Sequence, residues 1–201
     1  QCLAMQAGIY EQREDWKMLE ELLPRLRREK AMPAEALERL QRRLSGETLR
    51  IAADDRDLDG LRQRWKQLGS RERRTPALTR RYVESLLRAG DHAEACSAIR
   101  RSLRDHWDPE LLYLVGRLST EQQRKLQPQI TAWRRKRPED PALIHAAAVL
   151  GAAGDPLKAI ERLEASLARE PRLDAFELYG RLLDTQGRHE EAARAFHNAL
   201  A

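Results

Sequence analysis

Apolar residues recur at spacings of three and four through most of the chain, the pattern of amphipathic helices. Leu19, Leu22 and Leu26 form one such stripe, and Leu61 and Trp65 belong to another. No segment shows the alternation of a half-buried strand, and no apolar run approaches the roughly 18 residues of a membrane span. The hydrophobic pattern therefore predicts an all-α protein.

Three segments, at 76–103, 141–167 and from 173 onward, repeat one arrangement of residues. Each has a glycine, an alanine five residues later and a larger apolar residue four positions beyond: Gly90, Ala95 and Ile99; Gly154, Ala159 and Leu163; Gly187, Ala192 and Phe196. Glycine ends a helix in the left-handed conformation without strain, and a small alanine allows two helices to approach closely. The repeats predict tetratricopeptide-like helical hairpins stacked into a right-handed solenoid.

We expect this solenoid to form a single domain over residues 1–201. Its predicted parts are a divergent first hairpin at 1–30, irregular helices at 33–69, a hairpin at 76–105, a degenerate one at 107–138, and two more at 141–170 and 173–201. The degenerate unit should have a short first helix, with Pro128 interrupting its second helix or marking that helix's first turn. Residues 70–75 are the longest predicted loop. The last hairpin should form a weak dimer or pack against a further helix, because array ends expose an apolar face.

Charge changes this picture little. The chain has 37 Lys and Arg against 32 Asp and Glu, a net charge of +5, with both signs interleaved. Basic clusters at 25–30, 71–74 and 134–137 lie near predicted helix ends, where cations complement the helix dipole. Contact with anionic lipid is an alternative interpretation. Nucleic-acid binding is disfavoured because aromatic residues are not interleaved with the basic ones.

The sequence lacks the motifs of an enzyme or a metal site. The five histidines include no H-E-x-x-H pair, Cys2 and Cys96 have no metal-ligand spacing, and no haem-attachment, nucleophile-elbow or phosphate-loop motif occurs. Adjacent carboxylates such as Asp54 and Asp55 fit a solvated helix face. We therefore expect a non-enzymatic protein without a metal.

Several distinctive elements are shared with one known family. They are Asp15-Trp16, Leu22-Leu23-Pro24 with Leu26, Leu61 with Trp65, Tyr82 with Leu86-Leu87, Trp107-Asp108, Trp133 before Pro138, and Asp140-Pro141. In these the chain resembles the C-terminal region of HemY-type proteins, inner-membrane-anchored tetratricopeptide proteins associated with haem biosynthesis in proteobacteria. Family members have two N-terminal membrane helices that this sequence lacks, which suggests an excised soluble portion on the cytoplasmic side. The helix from Ala142 is richer in small residues than the family pattern. Nothing resembles the unrelated flavin enzyme that shares the HemY name.

The resemblance implies a scaffold that holds late haem-pathway enzymes. In a tetratricopeptide array the first helix of each hairpin lines a concave groove. The predicted groove residues are Arg80, Glu84, Arg88, Tyr113, Arg117, Ile144, His145, Glu177, Arg181 and Asp184. They either hold a partner segment or form an ordinary exposed face.

A second hypothesis is that the protein is a carrier for porphyrin or haem. His145 and Tyr113 could then be axial ligands of the iron. The alternative is that His145 is an ordinary residue of an alanine-rich helix. A generic assembly module without a haem link is the third hypothesis.

Overall fold

The computed structural model describes residues 2–200, and α-helices account for nearly all of their regular structure. No strand occurs within this range, so the predicted all-α class is confirmed. The chain divides into two compact units, the first ending at Asp91 and the second beginning at His92. The prediction of one continuous solenoid stays a prediction.

The first unit contains the helices that precede Asp91. Their bounds are α1 Cys2–Gln12, α2 Trp16–Arg28, α3 Ala34–Asp54, α4 Leu58–Gln67, α5 Ser70–Arg73 and α6 Pro76–Ala89. The long helix α3 packs against α2, α4 and α6. One core cluster is formed by α1, α2 and the start of α3 around the buried Leu19 and Leu26. In another part of the unit, the ring of Trp65 stacks on Tyr82 with centroids 4.2 Å apart.

The second unit contains the helices from His92 onward. Their bounds are α7 His92–Asp105, α8 Glu110–Tyr113, a 3-10 helix Leu114–Arg117, α9 Thr120–Lys136, α10 Pro141–Gly151, α11 Pro156–Leu167, α12 Leu173–Thr185 and α13 His189–Leu200. Helix α10 packs against α11, and α12 packs against α13, as tetratricopeptide-like hairpins. The short α8 and its 3-10 extension match the short first helix expected of the degenerate unit.

Small residues lie where the paired helices meet. Ala159 is completely buried with Leu163 in one cluster, and Ala192 is buried in the next. Gly180 faces the aromatic ring of Phe196, and a Cβ atom built on Gly180 would lie 2.7 Å from the ring's Cε1. The repeat alanines and Gly180 therefore set how closely the helices of each pair approach.

Aspartates begin several of the helices. The carboxylate of Asp57 accepts a hydrogen bond from the backbone N–H of Gly60 at 2.8 Å, and that of Asp155 accepts one from Lys158 at 3.0 Å. These bonds satisfy backbone donors that a helix leaves unpaired at its N-terminus.

The turn after α10 differs from the predicted one. Gly90 and Gly187 have the left-handed conformation, with φ of 86° and 76°, but Gly154 does not. Helix α10 ends three residues earlier, at Gly151, whose carbonyl accepts hydrogen bonds from the N–H groups of both Gly154 and Asp155. This turn closes without a left-handed residue, so the predicted role of Gly154 is wrong.

Two further predictions are corrected by the helix bounds. Residues 70–73 form α5 rather than a loop, because the side chain of Glu72 accepts a hydrogen bond from the N–H of Gly69 and starts a helical turn. Pro128 lies in the middle of α9, neither interrupting it nor starting it. Leu126 and Ile130 on either side are buried, and their packing offsets the backbone hydrogen bond that proline removes.

We predict that the effect of Gly180→Ala changes sign with the residue at position 196. In the wild-type background the new methyl group collides with the Phe196 ring and lowers the free energy of unfolding. In a Phe196→Ala background the collision is absent, and the same change should stabilise by about 0.5–1 kcal/mol through helix propensity. Urea unfolding of the four proteins measures both effects. Stabilisation by Gly180→Ala in both backgrounds would show that the contact does not limit the approach of the helices.

Candidate functional site

Six of the seven predicted groove residues that are at least partly exposed lie on two helices, α6 and α12. Three are on α6 in the first unit, where Arg80 and Glu84 are half-buried and Arg88 is exposed and paired with Asp54 at 2.8 Å. In the second unit, Glu177, Arg181 and Asp184 share an exposed stripe of α12. These six predicted residues therefore lie on one face of α6 in the first unit and one face of α12 in the second unit.

Of the other four predicted groove residues, one is exposed and three are buried. Arg117 is exposed at the end of the 3-10 helix. Tyr113, Ile144 and His145 are buried, with 6%, 6% and 3% of their surface exposed. The prediction that these three side chains line an open groove is wrong. They are buried because α8 packs directly against α10.

Arg172 covers Tyr113 and joins several acidic groups. Its guanidinium lies 3.7 Å from the centre of the Tyr113 ring, donates to Glu110 at 3.1 Å, and contacts Asp174 at 3.3 Å. The Tyr113 hydroxyl donates to a carboxylate oxygen of Glu170 at 2.9 Å. Burial, reinforced by the Glu170 hydrogen bond, raises the pKa of Tyr113. These contacts of Arg172 and Tyr113 link α8 to the segment that leads into α12.

His145 lies beside this cross-link. Its ring centroid is 5.0 Å from that of Tyr113, and its Nδ1 atom is buried without a hydrogen-bond partner among the described residues. Burial lowers the pKa of His145; Asp174 opposes this and Arg172 adds to it. The imidazole is therefore neutral at physiological pH.

The pair does not fit a haem held between two axial ligands. Rings with centroids 5.0 Å apart leave no space for a porphyrin, and a tyrosine that ligates iron must lose a proton that Tyr113 retains. Direct haem binding by the chain stays a prediction. Within residues 2–199, no cluster of three or more His, Cys, Asp or Glu side chains could hold a metal ion.

A different surface of the second unit concentrates positive charge. Helices α7 and α9 enclose an open groove of about 480 Å³, which we call the arginine groove, lined by Ser97, Arg100, Arg101, Arg104, Gln129 and Trp133. No carboxylate is among these side chains. Arg104 contacts the neighbouring Asp105 at 3.1 Å, whereas Arg100 and Arg101 are exposed and form no ion pair within the described part of the chain. The groove therefore presents unneutralised guanidinium groups to solvent.

Aromatic packing fixes one wall of the arginine groove. Trp133 contacts Trp107 edge to face, with centroids 5.7 Å apart, and the guanidinium of Arg137 lies 4.0 Å from the centre of the Trp107 ring. The indole N–H of Trp107 donates to Asp140 at 3.3 Å. These contacts hold Trp133 in position, and Trp133 forms the α9 side of the groove together with Gln129.

The sequence contained a signal for this groove. Arg100, Arg101 and Arg104 are spaced so that they share one face of a helix, and no acidic residue lies between Ser97 and Arg104. The repeat alignment drew attention to the first helix of each hairpin, whereas these arginines lie on α7, the second helix of the predicted hairpin at 76–105.

Comparisons with known proteins give only a distant structural likeness. No family model and no curated protein matches the chain. Among solved structures, MamA residues 41 to the end from Desulfovibrio magneticus RS-1 has 16% identity and a TM-score of 0.45, covering 78% of this chain and 93% of that one. Another MamA crystal structure has 15% identity and a TM-score of 0.46, covering 79% and 90%. A likeness at this level assigns neither a family nor a function.

No helix within residues 2–200 is both long enough and apolar enough to cross a membrane.

We predict that His145 makes stability depend on pH. The pKa of His145 in the folded protein lies below the ordinary value of 6.5. As the pH falls, His145 is therefore protonated in the unfolded chain before it is protonated in the folded chain. The free energy of unfolding should fall between about pH 7 and about pH 5, the range in which an ordinary histidine titrates. His145→Gln should reduce this fall, whereas His197→Gln at an exposed position of α13 should not. Equal pH profiles for the wild type and His145→Gln would contradict the assignment.

Proposed function

We propose that the chain is a non-enzymatic protein-interaction module and that the arginine groove binds a segment of a partner protein. The observation that supports this most directly is the groove itself, with three arginines on α7, Trp133 and Gln129 on α9, and no lining carboxylate. Each hairpin of helices exposes one face, and stacked hairpins are a framework for extended binding surfaces.

The charge of the groove favours an acidic partner segment. Guanidinium groups form strong, directional hydrogen bonds with carboxylates, and Arg100 and Arg101 have none within residues 2–199. A peptide with glutamate or aspartate residues would supply these carboxylates along the length of the groove. Single-stranded nucleic acid is a poorer fit, because its bases stack on free aromatic faces, whereas Trp107 is covered by Arg137 and contacts Trp133 edge to face.

We further propose that the physiological partners include late enzymes of haem biosynthesis, at the cytoplasmic side of a bacterial inner membrane. The support for this finer proposal is the resemblance to HemY-type proteins in elements such as Asp15-Trp16 and Trp107-Asp108. A carrier for porphyrin or haem is the second candidate, and it rests on the same resemblance.

The groove proposal is tested with two double variants that remove the same charge. Arg100→Gln with Arg101→Gln neutralises the groove, and Arg181→Gln with Arg194→Gln neutralises two exposed arginines on α12 and α13 of the same unit. A fluorescent peptide rich in glutamate should bind the wild type and the α12–α13 variant similarly. Binding to the groove variant should weaken roughly tenfold or more, the effect of losing charge-assisted hydrogen bonds. Fluorescence anisotropy at fixed ionic strength measures the affinities.

The control peptides decide between alternatives. A glutamine version of the peptide should bind weakly to every variant. If both double variants lose affinity equally, the interaction is a general effect of net charge and the groove is not the site. Greater loss in the α12–α13 variant would place the site on the stripe of Glu177, Arg181 and Asp184 instead. Tighter binding of a thymidine oligonucleotide of equal charge would indicate nucleic acid as the ligand.

The carrier hypothesis is tested by titrating haemin and following its Soret absorbance. Because Tyr113 and His145 are buried against each other, we expect no saturable, stoichiometric shift that depends on either residue. The wild type, His145→Ala and Tyr113→Phe should give the same titration. A stoichiometric shift that either substitution weakens would establish a haem site at this pair and favour the carrier.

A further inference from the structure

A second cluster of positive charge lies on another side of α9, away from the arginine groove. A cavity of about 100 Å³ is enclosed by α9, α10 and α11 in the second unit. Arg134 and Gln127 line it from α9, Gly151 from α10, and Arg162 from α11. No acidic side chain belongs to its lining.

The two guanidinium groups at this cavity lack a counter-charge. Burial and the nearby charge of Arg162 lower the pKa of Arg134, a sign that the two cations repel each other. The Nε atom of Arg134 is buried and has no hydrogen-bond partner within the described range. Neither arginine forms an ion pair in residues 2–199. An anion between them would relieve the repulsion and supply the missing acceptors.

Arg162 is held in place by the end of α10. Its Nη1 atom donates to the carbonyl oxygen of Ala147 at 3.1 Å, and a Cβ atom at position 151 would lie only 3.1 Å from that nitrogen. Gly151 thus leaves room for the guanidinium beside the last turn of α10. This bond uses one of five N–H donors, so the others remain able to bind a ligand.

The size of the cavity limits the ligand to a small group. A volume of about 100 Å³ equals that of roughly three water molecules at about 30 Å³ each. That space suits one tetrahedral oxyanion. Two cations favour a dianion over a monoanion, since each guanidinium can pair with two oxygens of the same group.

We propose that the cavity between Arg134 and Arg162 is a binding site for a phosphate group, either as inorganic phosphate or as a phosphate monoester. This inference is independent of the arginine groove, because different side chains of α9 line the two places. Gln127 of α9 also lines the cavity.

Calorimetric titration with inorganic phosphate tests the site in three proteins. The wild type should bind saturably, and Arg134→Gln should weaken binding roughly tenfold or more through the loss of a charge-assisted contact. Arg135→Gln removes the same charge from the adjacent, exposed position and should bind as the wild type does. Arg134→Gln should fold normally, because the Arg134 side chain makes no hydrogen bond in the described residues; far-ultraviolet circular dichroism checks this.

Three results would overturn the proposal: no saturable phosphate binding to the wild type, unchanged binding in Arg134→Gln, or equal weakening in Arg134→Gln and Arg135→Gln.

Acetate serves as the monoanion control and should bind more weakly than phosphate. Titration with O-phosphoserine separates the two sources of the phosphate. Tighter binding than inorganic phosphate supports a monoester, and weaker binding supports the free ion.

Discussion

Close packing at small residues determines the geometry of the second unit. Ala148, Ala159 and Ala175 are completely buried where α10, α11 and α12 meet, and Leu163 fills the space between them. Because these helices approach closely, the segment between α11 and α12 can bring Glu170 and Arg172 to Tyr113. The same approach leaves α10 enclosed by neighbours, so its side chains form core where a more open array would present a surface. The buried state of His145 follows from this packing and not from a property of histidine.

Much of the fold could be predicted from the sequence because the signals are local. A glycine after a helix or an aspartate before one acts within a few residues, and Gly187 behaves as expected. Gly154 did not, because Gly151 offered an earlier place for the helix to end. The burial of Tyr113 could not be predicted, since it depends on packing against α10 and on a guanidinium that also reaches Glu110 across 62 residues of sequence.

The surroundings of the charged residues are harder to predict from the sequence than the positions of the apolar ones. The cluster at 134–137 is a single basic run in the sequence, but successive residues of a helix point about 100° apart. Trp133, just before the run, therefore lines the arginine groove with α7, while Arg134 lines the cavity with α10 and α11. Which arginines meet a carboxylate is decided by the neighbouring helix. Arg88 pairs with Asp54 of α3, whereas Arg100 and Arg101 meet no acidic residue of the described chain.

The distribution of tryptophan has a practical consequence for spectroscopy. Of the chain's four tryptophans, Trp16 and Trp65 belong to the first unit, and Trp107 and Trp133 belong to the second. Replacing either pair with phenylalanine would leave an intrinsic fluorophore in one unit alone. Emission from such a chain would follow the unfolding of that unit without interference from the other. The stacked Trp65 and the guanidinium-covered Trp107 would differ in wavelength and quenching, which gives each unit its own optical signature.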